Sequence, residues 1–311
     1  MTTLVTLVGE QSIPNLLPIR HLKPKRVVFV HTTGNYGTEA VAQRVAALLP
    51  SDDMAVYAPV DAYALSQIRT ALAEKLAGER DLLFNLTGGT KPMGFAAYAL
   101  AAEHTIPFVY FQTEGPRGRD QRSLLYRYQW QSEQPILEGQ PEELPSGLLT
   151  LDDYLRAHLV GYQVEDPHLE QPKPTIGWEF ERAVHDALNG WADEVLAGVR
   201  PEGVKSQVEM DLLVRCGNQV AVLELKSYGS GKEAIDQLTT AAAREYLGTY
   251  TTRLAVIAGG VDDRFKALAR ALRVGVVEFP TYRAGRRTLH REEIVRLRQA
   301  LAERLSYKKI P

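Results

Sequence analysis

The sequence lacks most of what specialised scaffolds depend on. One cysteine, Cys216, in 311 residues excludes a disulfide framework and a cysteine-clustered zinc site. The seven histidines form no H-x-x-x-H or H-E-x-x-H pair, so a histidine metal centre is not expected. No apolar run reaches the length of a membrane span. The start MTTLVTLVGEQSIPN lacks a basic region followed by a long apolar one. The expectation is a cytoplasmic protein with no membrane partner. Neither the P-loop spacing nor G-x-G-x-x-G occurs, which disfavours a dinucleotide cofactor. Repeats and low-complexity segments are absent too.

What remains is an ordinary globular composition, 45% hydrophobic and 24% charged, enough for two cores. The length also predicts about two domains. Formal net charge is only -2, but it is unevenly spread. Up to residue 175 there are 15 basic and 20 acidic residues, and after it 21 basic and 18 acidic. A slightly basic second half suits a polyanionic partner, and equally a solvated surface.

In the first half, short apolar runs alternate with helical patterns. Strands are expected over Val5–Gly9, Arg26–Thr33, Ala55–Val60, Asp81–Thr87 and Phe108–Thr113. AVAQRVAALL, AYALSQIRTALAEKLA and MGFAAYALAAEH read as the helices between them. This order predicts a mostly parallel, Rossmann-like sheet ending in a hairpin from Phe108 to about Trp130. From Gln131 to Pro174 the texture becomes acidic and proline-bearing, with one helical segment, LLTLDDYLRAHL. A second α/β pattern follows. Helices are expected at Trp178–Leu188, Glu233–Leu247, Arg264–Leu272 and after Leu289, and strands at about Gln207–Val214, Val220–Lys226, Arg253–Ala258 and Gly275–Phe279.

The most specific stretch is VEMDLLVRCGNQVAVLELKS, Val208–Ser227. Its Gly217-Asn218 pair signals a hairpin. Alternation puts Glu209 with Asp211 on one face and Glu224 with Lys226 on one face, and the hairpin sets Asp211 beside Glu224. Oxygen ligands of this kind suit Mg²⁺ or Mn²⁺, which binds substrate phosphate and lowers the pKa of a bound water. A neighbouring lysine orients that water and stabilises charge developing on phosphorus oxygens. An isolated E-x-K is ordinarily an exposed strand edge. Here the lysine lies among apolar residues, with E-x-D one hairpin away.

These residues resemble the PD-(D/E)xK restriction-endonuclease-like nucleases over about Gly177–Phe279. The resemblance implies a further acid on an upstream helix, and GWEFERAVHDAL supplies Glu181 in preference to Glu179. It departs from the pattern at Met210, where a proline usually precedes the aspartate. Gln237 is similar to a glutamine often found near substrate phosphate, and it reads equally well as a surface residue. The implied catalytic set is Glu181, Asp211, Glu224 and Lys226, with Asp211, Glu224 and Glu181 as metal ligands.

In the first half, NLTGGTKPM, Asn85–Met93, joins a strand to a helix. Glycines there let backbone N–H groups approach an anion at the helix N-terminus, with Lys91 adding charge and Thr87 and Thr90 hydroxyls. A lone Gly-Gly turn is often a plain tight loop. Polar loops also end the first two strands, at Gly9–Ser12 and Thr32–Tyr36. His31 suits a ligand contact or a capping role. The composite resembles the CRISPR-associated Rossmann-fold (CARF) sensor domain, whose T-G-G-T-K-P-M turn binds a cyclic oligoadenylate. It implies ligand contacts at Gly88, Gly89, Thr90, Lys91 and Met93. Strand-end position and a looser resemblance add Gln11, Ser12, Thr32 and Thr33.

Sensor first and nuclease second resembles the CRISPR ancillary nucleases of type III systems. The implied fold class is α/β, with an N-terminal Rossmann-like sensor domain (1–134), a connector with one helix (135–174) and a C-terminal restriction-endonuclease-like α/β domain (175–311). The implied activity is a metal-dependent endonuclease, using Mn²⁺ or Mg²⁺ and activated by cyclic tetra-adenylate. Its implied state is a homodimer, and its substrate single-stranded or nicked or supercoiled nucleic acid. The alternative is a nucleotide-sensing binding protein with a catalytically silent nuclease-like domain. The stretch Arg283–Lys309, with nine basic and three acidic residues, either tracks a nucleic-acid backbone or is a solvated helix face.

Overall fold

The computed structural model describes residues 2–34, 37–115, 122–165, 174–203, 209–227, 232–241, 247–283 and 285–309. They form two compact units. One comprises Met1–Glu114, Arg122–Leu149 and Arg156–His158, the other chiefly Thr150–Leu155 and Leu159–Pro311.

The first unit contains strands β1 (Thr3–Leu7), β2 (Arg26–Thr32), β3 (Ala55–Val60), β4 (Leu82–Asn85), β5 (Phe108–Glu114), β6 (Arg122–Gln131), β7 (Gln134–Leu137) and β8 (Glu142–Glu143). Its helices are α1 (Ile13–Leu22), α2 (Glu39–Ala46), α3 (Leu65–Lys75) and α4 (Lys91–Glu103). The sheet order is β3-β2-β1-β4-β5-β6-β7, with β8 on β6, and β3 through β5 are parallel. The chain winds outward from β1 to β3, then crosses back to β4 on the other side of β1. That reversal opens a crevice at the carboxyl ends of β1 and β4, where open α/β sheets hold ligands. β1 and β2 are buried along nearly their whole length, as strands covered on both faces must be. Ile68, Leu72, Met93, Ala97 and Leu100 pack helical stripes onto Val5, Val28 and Phe84.

Two features of this unit differ from the sequence expectation. GEQSIPN reads as a loop, yet α1 starts at Ile13 and runs through Pro18. Pro14 sits in the first turn, where a missing N–H costs nothing, but Pro18 cannot bond the Pro14 carbonyl. Asn85 Nδ2 donates to that carbonyl instead, at 2.9 Å, so a side chain from the end of β4 repairs the helix. The second difference is that residues 134–137 and 142–143 extend the first sheet and Tyr162–Glu165 joins the second. The segment read as a connector therefore contributes strands to both sheets.

After α5 (Leu151–His158), the second unit contains β9 (Tyr162–Glu165), α6 (Ile176–Leu188), β10 (Glu194–Pro201), β11 (Met210–Cys216), β12 (Gln219–Lys226) and α7 (Lys232–Ala241). It continues with β13 (Thr251–Ala258), α8 (Asp263–Ala271), β14 (Val274–Phe279) and α9 (Arg291–Leu305). The sheet order is β14-β13-β12-β11-β10-β9. β12 is antiparallel to β11 and parallel to β13, so it lies mid-sheet with Val220 to Leu225 buried. α6 and α9 close one core around Phe180, Trp191, Leu223, Phe279 and Leu297. Each such apolar side chain contributes roughly 1.5–3 kcal/mol by leaving water. β10 is not apparent in the sequence, because its alternation breaks where the register shifts between Ala197 and Arg200. Gly198, at φ +54°, sits in that shift, and a Cβ there would lie 2.8 Å from Glu165.

Candidate functional site

In the second unit, the β11–β12 register pairs Leu212 with Leu223 and Cys216 with Gln219. Gly217 at φ +63° makes the reversal, and Asp193 Oδ2 accepts its N–H at 2.7 Å. The same register brings Asp211 opposite Glu224, where the regular ladder ends. Leu225 N–H, released from the ladder, donates to Asp211 Oδ2 at 2.6 Å. Lys226 Nζ donates to Glu224 Oε1 at 2.9 Å. Glu224 is 1% exposed in the middle of the sheet, and its Oε2 has no hydrogen-bond partner among the described residues.

Burying a carboxylate this way is costly unless something positive accompanies it. Burial first, then the charge of Asp211, pushes Glu224 up to about 8, against the opposing pull of Lys226. Glu181, on α6, is pushed up to about 7 by burial, then by Asp211 and Glu209. Asp211 is raised mainly by burial, opposed by the Leu225 N–H. Burial works against the charge on Lys226, but the hydrogen bond and charge of Glu224 outweigh it and its pKa rises. Lys226 is thus an ammonium donor and not a base. Clustered acids raised together with one cation between them form a site of excess negative potential.

Asp211, Glu224 and Lys226 are in mutual reach, and Glu181 is coupled to them electrostatically. Glu179 is engaged elsewhere, accepting from Arg287 Nε at 3.2 Å. Glu209 is also withdrawn, with its two oxygens 3.0 and 3.1 Å from Arg200 Nη2. Gln237 lies on an exposed position of α7. Among the described residues, no group of three His, Cys, Asp or Glu side chains is drawn together as a metal cage. A Mg²⁺-type ion does not require one, since it binds through one or two carboxylates and keeps several waters. The donor set fits such an ion: Asp211 and Glu224 supply the oxygens, and the orphaned Glu224 Oε2 is the atom it would satisfy.

In the first unit, the candidate site is built from the ends of adjacent strands β2, β1 and β4. Thr38 Oγ1 donates to Val8 O at 2.9 Å and accepts from Thr32 N at 3.1 Å, tying the first two strand ends together. Gly9 and Gly89 meet backbone to backbone, and a Cβ on Gly9 would lie 3.1 Å from Gly89 N. The two turn glycines are required for different reasons. A Cβ at Gly88 would sit 2.2 Å from Leu7 O, whereas Gly89 has φ +74°. Beneath them, Asn85 Oδ1 accepts from Thr87 N (3.2 Å) and Thr87 Oγ1 (2.6 Å), and Thr87 Oγ1 accepts from Phe111 N (2.7 Å).

The structure separates the expected ligand contacts into two sets. Gly88 and Gly89 form the turn, Gln11 is half-buried at the end of β1, and Thr33 and Lys91 are exposed. The other side chains are committed internally. Ser12 is buried and donates to Ala157 O at 2.6 Å, and Thr32 Oγ1 accepts from Thr38 N at 3.1 Å. Thr90 caps α4 by accepting from Met93 N at 3.3 Å and donates to Ala62 O at 2.7 Å. Met93 is 0% exposed, with its sulfur 3.4 Å from Thr90 N. Ser12, Thr32, Thr90 and Met93 thus also support the loop from within. His31, 3% exposed, lies edge-on to Tyr57. Sequence reasoning missed Asn85, Thr38 and Gly9. Only Gly9 carried a signal, a glycine directly after a strand.

α4 begins with Lys91 and has no acid in its first turn. A cation there opposes the helix dipole unless an anion joins it. The Card1 CARF domain family model matches residues 3–134. Residues 3–134 are a CARF domain. No curated protein sequence matches the chain. Several solved structures share its fold, among them the following. Can2 from Sulfobacillus thermosulfidooxidans, solved with cyclic tetra-adenylate, is 17% identical with TM-score 0.68, over 90% of this chain and 96% of Can2. Protein VC1899 from Vibrio cholerae is 13% identical with TM-score 0.69, over 98% and 99% of the two chains. A type III CRISPR defence DNA nuclease activated by cyclic oligoadenylate is 18% identical with TM-score 0.62, over 96% of this chain and 51% of that one. These likenesses give the fold of a CARF domain joined to a second α/β unit.

Proposed function

We propose that this CARF protein is a metal-dependent endonuclease of type III CRISPR defence, switched on by a cyclic oligoadenylate, with cyclic tetra-adenylate as the activator. The observation that carries the nuclease reading is buried Glu224, with the partly buried Asp211 opposite it and Lys226 bonded to it. Mg²⁺ or Mn²⁺ held by Asp211 and Glu224 would supply charge neutralisation at a phosphodiester and a more acidic water. Lys226, protonated and half-buried, donates to the water or to a phosphate oxygen in the transition state. Glu181, raised to about 7, completes the acidic cluster and is matched to accept a proton near neutral pH.

Ligand sensing rests on the CARF match and on the anion-complementary turn. Can2 was solved holding cyclic tetra-adenylate, and we carry that ligand class to the Gly88–Lys91 turn. Its ring of identical nucleotides suits a two-fold axis, hence a homodimer. An exposed apolar stripe supports that state: Phe95 (62% exposed) and Tyr98 on α4, one and two turns beyond Lys91. Glu224→Gln is the direct test. It should abolish cleavage of DNA or RNA in Mn²⁺ while leaving cyclic tetra-adenylate affinity unchanged. Cleavage at the wild-type rate would refute the assignment.

A further inference from the structure

α6 carries more than Glu181. Around its outward arc lie Glu181, Trp178, Arg182 and Glu179, since positions three and four apart share a helix face. The Arg182 guanidinium carbon sits 5.4 Å from the Trp178 ring centroid, and among the described residues no carboxylate pairs with Arg182. The indole is only partly buried. From the separate loop between β14 and α9, Arg287 reaches Glu179 through Nε at 3.2 Å, with its side chain 63% exposed and its other donors available. The described residues of that loop are tied to α9. Buried Glu293 accepts from Thr281 Oγ1 and His290 N and pairs with Arg286, which covers the Tyr282 ring.

We propose that Trp178, backed by Arg182, is the platform on which a base next to the cleaved phosphodiester stacks, with Arg287 holding an adjoining phosphate. The inference rests on the nuclease reading above. An indole with a guanidinium on one face is a stacking surface for a nucleobase. It stands one helical turn from Glu181, so a strand threading the acidic cluster passes it. Glu179 does not repel that strand, because Arg287 neutralises it and Glu179 in turn aims Arg287. A base can stack there only when it is free of its own duplex, so the platform selects an unpaired segment.

The test uses full-length protein with cyclic tetra-adenylate, Mn²⁺ and a single-stranded thymidine oligonucleotide. Trp178→Ala should raise KM on the order of tenfold with a smaller change in kcat, the scale of one base stack. Trp178→Phe, which keeps a ring, should recover most of it and guards against loss of folding. Arg287→Gln should lower the salt dependence of binding by about one counterion. Independently of cutting, oligonucleotide should quench the fluorescence that wild type has and Trp178→Phe lacks, measured in Ca²⁺. Cleavage with unchanged KM in Trp178→Ala and no quench would overturn the platform while leaving the nuclease reading intact. Quenching by a wild-type protein that cuts nothing would support the stack and overturn the nuclease reading.

Discussion

The two candidate sites are electrostatic opposites. The CARF turn presents two glycines, helix N–H groups and Lys91, with no acid in the first turn of α4. The β11–β12 site buries carboxylates around one ammonium, and Glu224 and Glu181 are pushed up to about 8 and 7. The first is complementary to an anion as it stands. The second holds more carboxyl groups than one ammonium can neutralise, so without a cation Glu224 and Glu181 keep protons near neutral pH. It is complementary to a cation, through which it would meet a phosphate. A cyclic oligoadenylate and a nucleic acid are both phosphodiesters, so in the proposed function it is this contrast that distinguishes their sites.

The largest effect should come from the acidic site. Lys226→Ala should reduce cleavage by about 10²–10³, the scale of losing one transition-state donor, and leave ligand affinity unchanged. Parallel kinetics and calorimetry would show whether the two sites separate. Next is the turn: Gly88→Val has no room beside Leu7 O and should abolish cyclic tetra-adenylate binding in a titration. Gly89→Ala, strained by φ +74°, should cost about 1 kcal/mol of stability by chemical denaturation.

Proton linkage sharpens the contrast further. Glu224 is raised from 4.5 to about 8, so between those values the folded protein keeps a proton that the unfolded chain has released. Metal-free stability should therefore fall as pH rises through that window, and Glu224→Gln should flatten the fall. Mn²⁺ should raise Tm at pH 8 and leave it nearly unchanged at pH 5, as thermal melts would show. A smaller effect on binding than at Gly88 is expected at Lys91. Lys91→Ala should weaken cyclic tetra-adenylate roughly tenfold, and without ligand should leave stability equal or slightly higher, since a cation at a helix N-terminus is unfavourable.

The β11–β12 hairpin was legible because its signals agree: Gly217-Asn218 at the turn, alternation on both sides, and polar residues inside an apolar run. The helical stripe of Met93, Ala97 and Leu100 was legible for the same reason. α1 was hidden by Pro14 and Pro18, since the group that tolerates Pro18 is Asn85, about seventy residues away. β10 was hidden by the shift at Gly198. The hydroxyls of Ser12, Thr32 and Thr90 show a further limit. Sequence places them at strand ends, but only tertiary packing reveals that Ala157, Thr38 and Ala62 already use them.

In the proposed function, an anion bound at the CARF turn licenses hydrolysis at the acidic site. The most direct measurement incubates purified protein in Mn²⁺ with labelled single-stranded DNA, RNA and plasmid, with and without cyclic tetra-adenylate. Cleavage that requires both metal and ligand is the predicted result. Equal cleavage without the ligand would remove the switch, and no cleavage of any substrate with ligand bound would rule out both the nuclease and its coupling to the sensor.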